Sequence, residues 1–192
     1  MKQKRETTEK LVLGAILTAL VVILQLMGSF IRFGPFSISL VLIPIVLGAA
    51  TCGKSVSTWL GFVFGVVVLF MDAGAFLAIS VPGTIITVLL KGMACGFLAG
   101  LTYELLEKVN RYLAVAVAAI VCPIVNTGVF VLGCFTFFMD ALKEWGAGAG
   151  YDNVFAYVFI GMIGINFIAE LVSNILLSPG IVRLLNIRKK DI

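Results

Sequence analysis

Six apolar runs follow one another along the sequence, and short segments that carry most of the charges separate them. A transmembrane helix needs about 20 mostly apolar residues, within a range near 17–25. The second and third runs are short for a span, whereas the sixth is long enough to begin above the membrane. We therefore expect an all-α integral membrane protein, a six-helix bundle that forms a single membrane domain over residues 1–192. The predicted spans cover residues 11–30, 36–51, 56–71, 83–103, 112–139 and 154–182.

The composition excludes an ordinary soluble domain. Hydrophobic residues make up 61% of the chain and charged residues only 12%, whereas about 25% of the residues of a typical soluble domain are charged. Histidine is absent, which removes the commonest general base and metal ligand. The cysteines form no CxxC pair, which favours small buried helix residues over a zinc site or a disulfide framework. We expect no bound metal and no cofactor. The four cysteines are Cys52, Cys95, Cys122 and Cys134.

The basic residues predict the orientation of the chain. Most of the 14 lysines and arginines precede the first span, follow the sixth, or lie in the links between spans two and three and spans four and five. Only Arg32 and Lys143 fall on the opposite side, and Lys91 lies inside the fourth span. The positive-inside rule therefore places both termini in the cytoplasm. The net charge of +4 reflects this topology, and we expect no binding of nucleic acid.

Residues 48–55, GAATCGKS, match the P-loop pattern G-x-x-x-x-G-K-[ST] letter for letter. That pattern binds phosphate where a strand feeds a glycine loop that opens a helix. Here it lies at the predicted cytoplasmic junction of two apolar helices. A tight turn and a positive-inside lysine explain it, so the sequence does not predict a nucleotide site.

Three predicted spans carry polar residues at a similar depth below the outer surface. At 100° per residue, Asn166 and Glu170 share one stripe of the sixth span, and Asn126 follows Pro123 in the fifth. A charged group at bilayer depth costs at least ~2.5–3.5 kcal/mol, so it normally faces the bundle interior or a wet cavity. Two interpretations stay open: a Lys91–Glu170 ion pair with asparagines linking helices, or a cavity that binds a ligand. The candidate lining residues are Thr84, Thr87, Lys91, Asn126, Asn166 and Glu170.

Two predicted outer loops combine aromatic residues with glycines, as a lid over a small solute would. The first is SFIRFGPFSIS and the second is MDALKEWGAGAGYDN, with a glycine–alanine run that we expect to be flexible. The candidate lid residues are Arg32, Phe33, Phe36, Trp145 and Tyr151.

The first span contains LGAILTALVVIL, in which Ala15 and Ala19 form an A-x-x-x-A pattern. Small residues four apart let another helix approach closely. With this pattern, six spans and the stretch SLVLIPIVLGAATCGKSVSTWLGFVFG, the chain resembles the substrate-binding S components of energy-coupling factor (ECF) vitamin transporters. The resemblance covers nearly the whole sequence.

The resemblance implies a protein that is not itself an enzyme. Such a subunit captures a water-soluble vitamin or related micronutrient outside the plasma membrane of a prokaryote. It then docks through Ala15 and Ala19 onto a transmembrane T component that carries two ATPases. The resemblance assigns no substrate-contacting residue individually and indicates no particular vitamin.

Three other classes of protein fit the sequence less well. An autonomous secondary transporter, or a channel-like six-helix protein, would predict similar halves or paired broken helices, and no convincing internal repeat is present. An intramembrane enzyme lacks histidine and clustered carboxylates. A purely structural membrane protein would not explain polar groups in three helices.

Overall fold

The computed structural model describes the backbone of residues 2–28, 32–33, 36–37 and 40–190, and the side chains of residues 7–28, 40–183, 185 and 186. Within these ranges the chain is helical apart from one short antiparallel hairpin, in which Arg32 pairs with Ser37 and Phe33 with Phe36. The elements in chain order are α1 (Lys2–Gly28), β1 (Arg32–Phe33), β2 (Phe36–Ser37), α2 (Leu42–Cys52), α3 (Lys54–Met71), α4 (Gly74–Leu77), α5 (Val81–Leu106), α6 (Arg111–Phe137), α7 (Met139–Gly148), α8 (Val154–Ala156), a π-helical segment (Tyr157–Met162) and α9 (Gly164–Lys190).

Five described helices are long and apolar enough to cross a membrane: α1, α3, α5, α6 and α9. Their outward faces carry large exposed apolar side chains, for example Leu132, which is 67% exposed, and Leu176, which is 71% exposed. Apolar faces of this kind are compatible with contact to lipid tails, which form no hydrogen bonds with the protein. The prediction of an all-α membrane protein is confirmed in this form.

The second predicted span, residues 36–51, is shorter in the structure. Phe36 and Ser37 belong to the hairpin, and α2 has 11 residues, or about 16 Å at ~1.5 Å per residue. That length is about half of the ~30 Å hydrocarbon layer. Because most of its residues are buried, α2 lies within the bundle instead of facing lipid along its length.

Two other predictions about the outer segments need correction. The glycine–alanine run of the second lid loop is largely helical, since α7 extends to Gly148. The sixth predicted span, residues 154–182, is not one regular helix: it begins with α8 and a π-helical segment before α9 starts at Gly164. π-Helical turns of this kind occur frequently at functional sites.

Helices α3 and α5 cross in close contact along a row of glycines. A Cβ atom added at Gly92 would overlap the carbonyl group of Gly61, and one added at Gly61 would overlap the carbonyl group of Gly92. One turn further along α5, Gly96 lies against the backbone of Ser57, whose hydroxyl donates to the Gly96 carbonyl oxygen at 2.8 Å. These glycines therefore bring the two backbones together, as in many membrane helix pairs.

The structure of the junction between α2 and α3 explains why residues 48–55 match the P-loop pattern. Gly53 joins the two helices with φ = 92°, a left-handed value that glycine adopts without strain. Lys54 pairs with Glu104 of α5, with its Nζ 2.9 Å from Oε2 and its backbone N–H donating to Oε1 at 3.2 Å. The segment is thus a tight turn between two helices, and its lysine pairs with the Glu104 carboxylate.

Side chains cap the two long central helices where they begin. The Ser80 hydroxyl accepts a hydrogen bond from the backbone N–H of Gly83 at 3.2 Å, and Pro82 occupies the first turn of α5. Asn110 accepts from the backbone N–H groups of Tyr112 and Leu113 at the start of α6. These caps satisfy N–H groups that a helix leaves unpaired in its first turn. The four cysteines are buried, as predicted.

Candidate functional site

The structure brings all six predicted intramembrane polar residues to one cavity. Its volume is about 90 Å³, several times the ~10–15 Å³ that one water molecule requires. Helix α5 contributes three of the residues, α6 contributes one and α9 contributes two. The six are Thr84, Thr87, Lys91, Asn126, Asn166 and Glu170.

Five of these six side chains are buried, and Lys91 is half-buried. Thr84 is 1% exposed, Asn126 is 5% exposed and Glu170 is 6% exposed. Burying polar groups without partners is costly, and some of them have partners: the Thr84 hydroxyl donates to the carbonyl oxygen of Ser80 at 2.7 Å. On α9, the Asn174 amide donates to the carbonyl oxygen of Glu170 at 2.8 Å.

Thr87 Oγ1, Asn126 Oδ1 and Asn166 Oδ1 are buried at the cavity and have no hydrogen-bond partner within the part of the chain that the structure describes. Each comes from a different helix, and all three residues line the cavity. An unsatisfied buried polar atom costs about 1–3 kcal/mol. A small solute or ordered water in the cavity would supply the partners that these groups need.

The ammonium group of Lys91 lies over two aromatic rings. Its Nζ is 5.1 Å from the centroid of the Phe130 ring and 5.6 Å from that of Phe64. Within the part of the chain that the structure describes, Lys91 forms no direct ion pair, although Glu170 lines the same cavity. The direct Lys91–Glu170 ion pair left open by the sequence is therefore not what the structure shows.

Aromatic rings surround the polar groups on one side of the cavity. Phe76 of α4 makes edge-to-face contacts with Phe130, Phe138 and Trp145, with centroids 5.0–5.7 Å apart. Three of these rings, those of Phe76, Phe130 and Phe138, line the cavity itself. Edge-to-face pairs hold rings in fixed relative orientations, so the apolar wall is shaped in advance.

The predicted lid residues are placed differently. Trp145 of α7 lies behind Phe76 and contacts the cavity wall through it. Tyr151 packs on Tyr157 with ring centroids 5.6 Å apart and is not among the lining residues. Arg32, Phe33 and Phe36 belong to the β1–β2 hairpin, but their side chains lie outside the described part of the chain.

Three polar residues that line the cavity were not predicted from the sequence: Gln25, Asp72 and Thr127. Gln25 of α1 is 1% exposed, and its amide donates to Asp72 Oδ2 at 2.8 Å. Asp72 ends α3 and also lines the cavity. A glutamine inside an otherwise apolar span was a usable signal, whereas Asp72 reads from sequence as an ordinary loop residue.

Ala15 and Ala19 lie on the outer face of α1, where both are exposed. The opposite face of the helix is buried through Leu17, Val21 and Gln25. The two alanines therefore do not pack inside the bundle, which leaves their groove open to lipid or to another protein.

Five membrane-length helices around a polar internal cavity define a multi-pass membrane protein with a candidate site for a small solute. The chain belongs to the family described as ECF transporter, substrate-specific component, which matches residues 9–182. It is therefore the substrate-binding subunit of an ECF transporter and not itself an enzyme. This confirms the resemblance that the sequence indicated. No curated protein and no solved structure matches the chain.

Proposed function

We propose that this subunit captures a water-soluble vitamin or related micronutrient in the cavity between α5, α6 and α9. The observation that carries the proposal is the set of three unpartnered buried oxygens on three walls of that cavity. In the ligand-free protein, these oxygens carry the free-energy cost of burial without hydrogen bonds. A solute that supplies hydrogen-bond partners removes this cost when it binds. The adjoining rings offer an apolar surface to a planar part of the solute.

The proposed topology places both termini in the cytoplasm of a prokaryotic cell and the cavity toward the outside. The distribution of lysine and arginine along the sequence supports this orientation. The short helix α2 is the sixth helix of the bundle in this proposal, and residues 1–192 form one membrane domain. Solute arrives from outside, near α7, whose Trp145 contacts Phe76 of the cavity wall.

Transport further requires energy that the chain does not supply. The proposed partners are a transmembrane T component and two ATPase subunits, as the family implies. The docking surface would be the exposed groove at Ala15 and Ala19 on α1. Helix α1 also reaches the cavity through Gln25, so one helix would connect the docking groove with the solute.

A thermal-shift screen of the purified protein against water-soluble vitamins and their precursors tests the capture role. A ligand that binds only the folded state stabilises it by RT ln(1 + [L]/Kd), which is about 2.7 kcal/mol when the ligand concentration is 100 times Kd. We expect at least one compound to raise the Tm without ATP or partner subunits. A flat response across the whole panel, with the protein folded, would contradict capture at this cavity.

Asn126→Leu separates binding from folding. Because the Asn126 oxygen is buried and unpartnered, an apolar side chain of similar size should leave the ligand-free protein as stable as before or more stable by about 1 kcal/mol. The same change should abolish most of the ligand-induced Tm shift. The matched control is Thr136→Val at the outer end of α6, whose hydroxyl is exposed and bonded to its own helix; it should keep the ligand response. Lower stability together with an unchanged response in Asn126→Leu would remove this residue from the site.

A further inference from the structure

We infer that the solute carries an acidic group, a carboxylate or an equivalent anionic oxygen group, that pairs with Lys91. The inference rests on the proposed function and deepens it, because it assigns a chemical class to the substrate. It starts from the surroundings of a single ammonium group inside the bundle.

Lys91 lies at cavity depth with two aromatic rings as its nearest partners. The centroids of Phe130 and Phe64 are 5.1 and 5.6 Å from Nζ, and no direct ion pair reaches Lys91 from the residues that the structure describes. The negative faces of the rings attract the cation, but rings accept no conventional hydrogen bonds as oxygens do. An ammonium group has three N–H donors, and an anionic oxygen is the partner that satisfies them best.

Two further polar side chains line the same cavity as the ammonium group. Thr87 is one turn before Lys91 on α5, and its hydroxyl oxygen is buried without a partner. Asn126 faces the same cavity from α6, also with an unpartnered oxygen. A hydroxyl rotates to donate where an acceptor is offered, and a side-chain amide can turn its NH₂ toward one. An ammonium, a hydroxyl and an amide that line one cavity form a donor set that fits a carboxylate.

Glu170 restricts how such a solute can lie. It is on α9 and lines the same cavity as Lys91. An acidic group must therefore stay near α5 and α6, while neutral or donor-bearing atoms of the solute face α9. The rings of Phe76, Phe130 and Phe138 then contact the remaining apolar part.

Pairs of acids and their neutral counterparts test the inference directly. The probes are pantothenate with pantothenol, biotin with biotinamide, nicotinate with nicotinamide and lipoate with lipoamide, together with the non-acidic compounds thiamin, pyridoxine and riboflavin. Affinity is measured by equilibrium dialysis on the purified chain in detergent. We expect one acid to bind at least about tenfold more tightly than its neutral partner, the scale for a hydrogen bond to a charged group.

Variants at Lys91 show whether this preference comes from the ammonium group. Lys91→Met should reduce the acid-over-neutral ratio to near one, and Lys91→Arg should retain part of it. Lys143→Met is the matched control, because that lysine is exposed on α7 and pairs with Asp140; it should keep the full ratio. Circular dichroism and Tm establish that each variant is folded.

The outcomes distinguish the inference from the proposed function. If a neutral or non-acidic compound binds best and Lys91→Met leaves its affinity unchanged, the acidic group is wrong and solute capture stands. If no probe binds the folded wild-type protein, capture of a vitamin-like solute is contradicted and the inference falls with it. If an acid is preferred equally by wild type and Lys91→Met, another residue recognises it and the role of Lys91 is overturned.

Discussion

Ala15→Trp or Ala19→Trp is expected to abolish ATP-driven uptake and association with the T component, while the substrate affinity of the isolated protein changes by less than about threefold. Both alanines are exposed on one face of α1, and the buried face of the same helix carries Leu17, Val21 and Gln25. A bulky indole in a groove made for close helix contact holds the partner away, and dispersion contacts fall steeply once a gap opens. The cavity is formed on the other side of α1, so the solute is not displaced.

The measurement combines substrate affinity in detergent with uptake in vesicles that contain the T component and both ATPases. Leu132→Trp is the control, since that side chain is 67% exposed on α6 and should tolerate a larger apolar residue facing lipid. Uptake that survives both alanine substitutions would contradict docking at this groove. If substrate affinity and uptake were both lost, the substitutions would be acting on the substrate cavity and not on docking.

The polar cavity could be predicted from the sequence because two simple regularities coincide there. Charged and amide residues are costly in lipid and turn inward, and the helical period places Asn166 and Glu170 on one face. Depth along each apolar run then sets Lys91, Asn126 and Asn166 at a common level. Each step depends on local spacing and on the membrane as solvent, and all six predicted residues line the cavity.

Other parts of the molecule depend on contacts between distant segments and escaped prediction. The apolar run at residues 36–51 gives no sign that its first residues pair with β1 and that α2 is short. Glycines in α7 suggest flexibility, yet Leu142 is buried and Trp145 contacts Phe76, and such packing can stabilise a helix against weak intrinsic propensity. Asp72 enters the site through the end of α3, a position that composition alone does not distinguish from any loop carboxylate.

The glycine row between α3 and α5 matters for the site as well as for the fold. Both helices contribute to the cavity, α3 through Val68 and Asp72 and α5 through Thr87 and Lys91. Their backbones can approach this closely only because Gly61 and Gly92 have no side chains. Adding one carbon atom at the crossing should therefore displace the walls of the nearby cavity.

Gly92→Ala is expected to destabilise the protein by about 3 kcal/mol or more, since the added Cβ meets the backbone of Gly61 and not a movable side chain. For a chain of this size that corresponds to a fall in Tm of roughly 6–12 °C. Gly128→Ala on α6 is the matched control: its added Cβ meets nothing within 4 Å, and alanine is favoured over glycine in a helix by up to about 1 kcal/mol. The identical substitution should thus have opposite signs at the two positions, measured by thermal unfolding in detergent. Substrate affinity should fall in Gly92→Ala and stay unchanged in Gly128→Ala, because only the first separates two walls of the cavity. Equal Tm values for the two variants would contradict the close backbone crossing of α3 and α5.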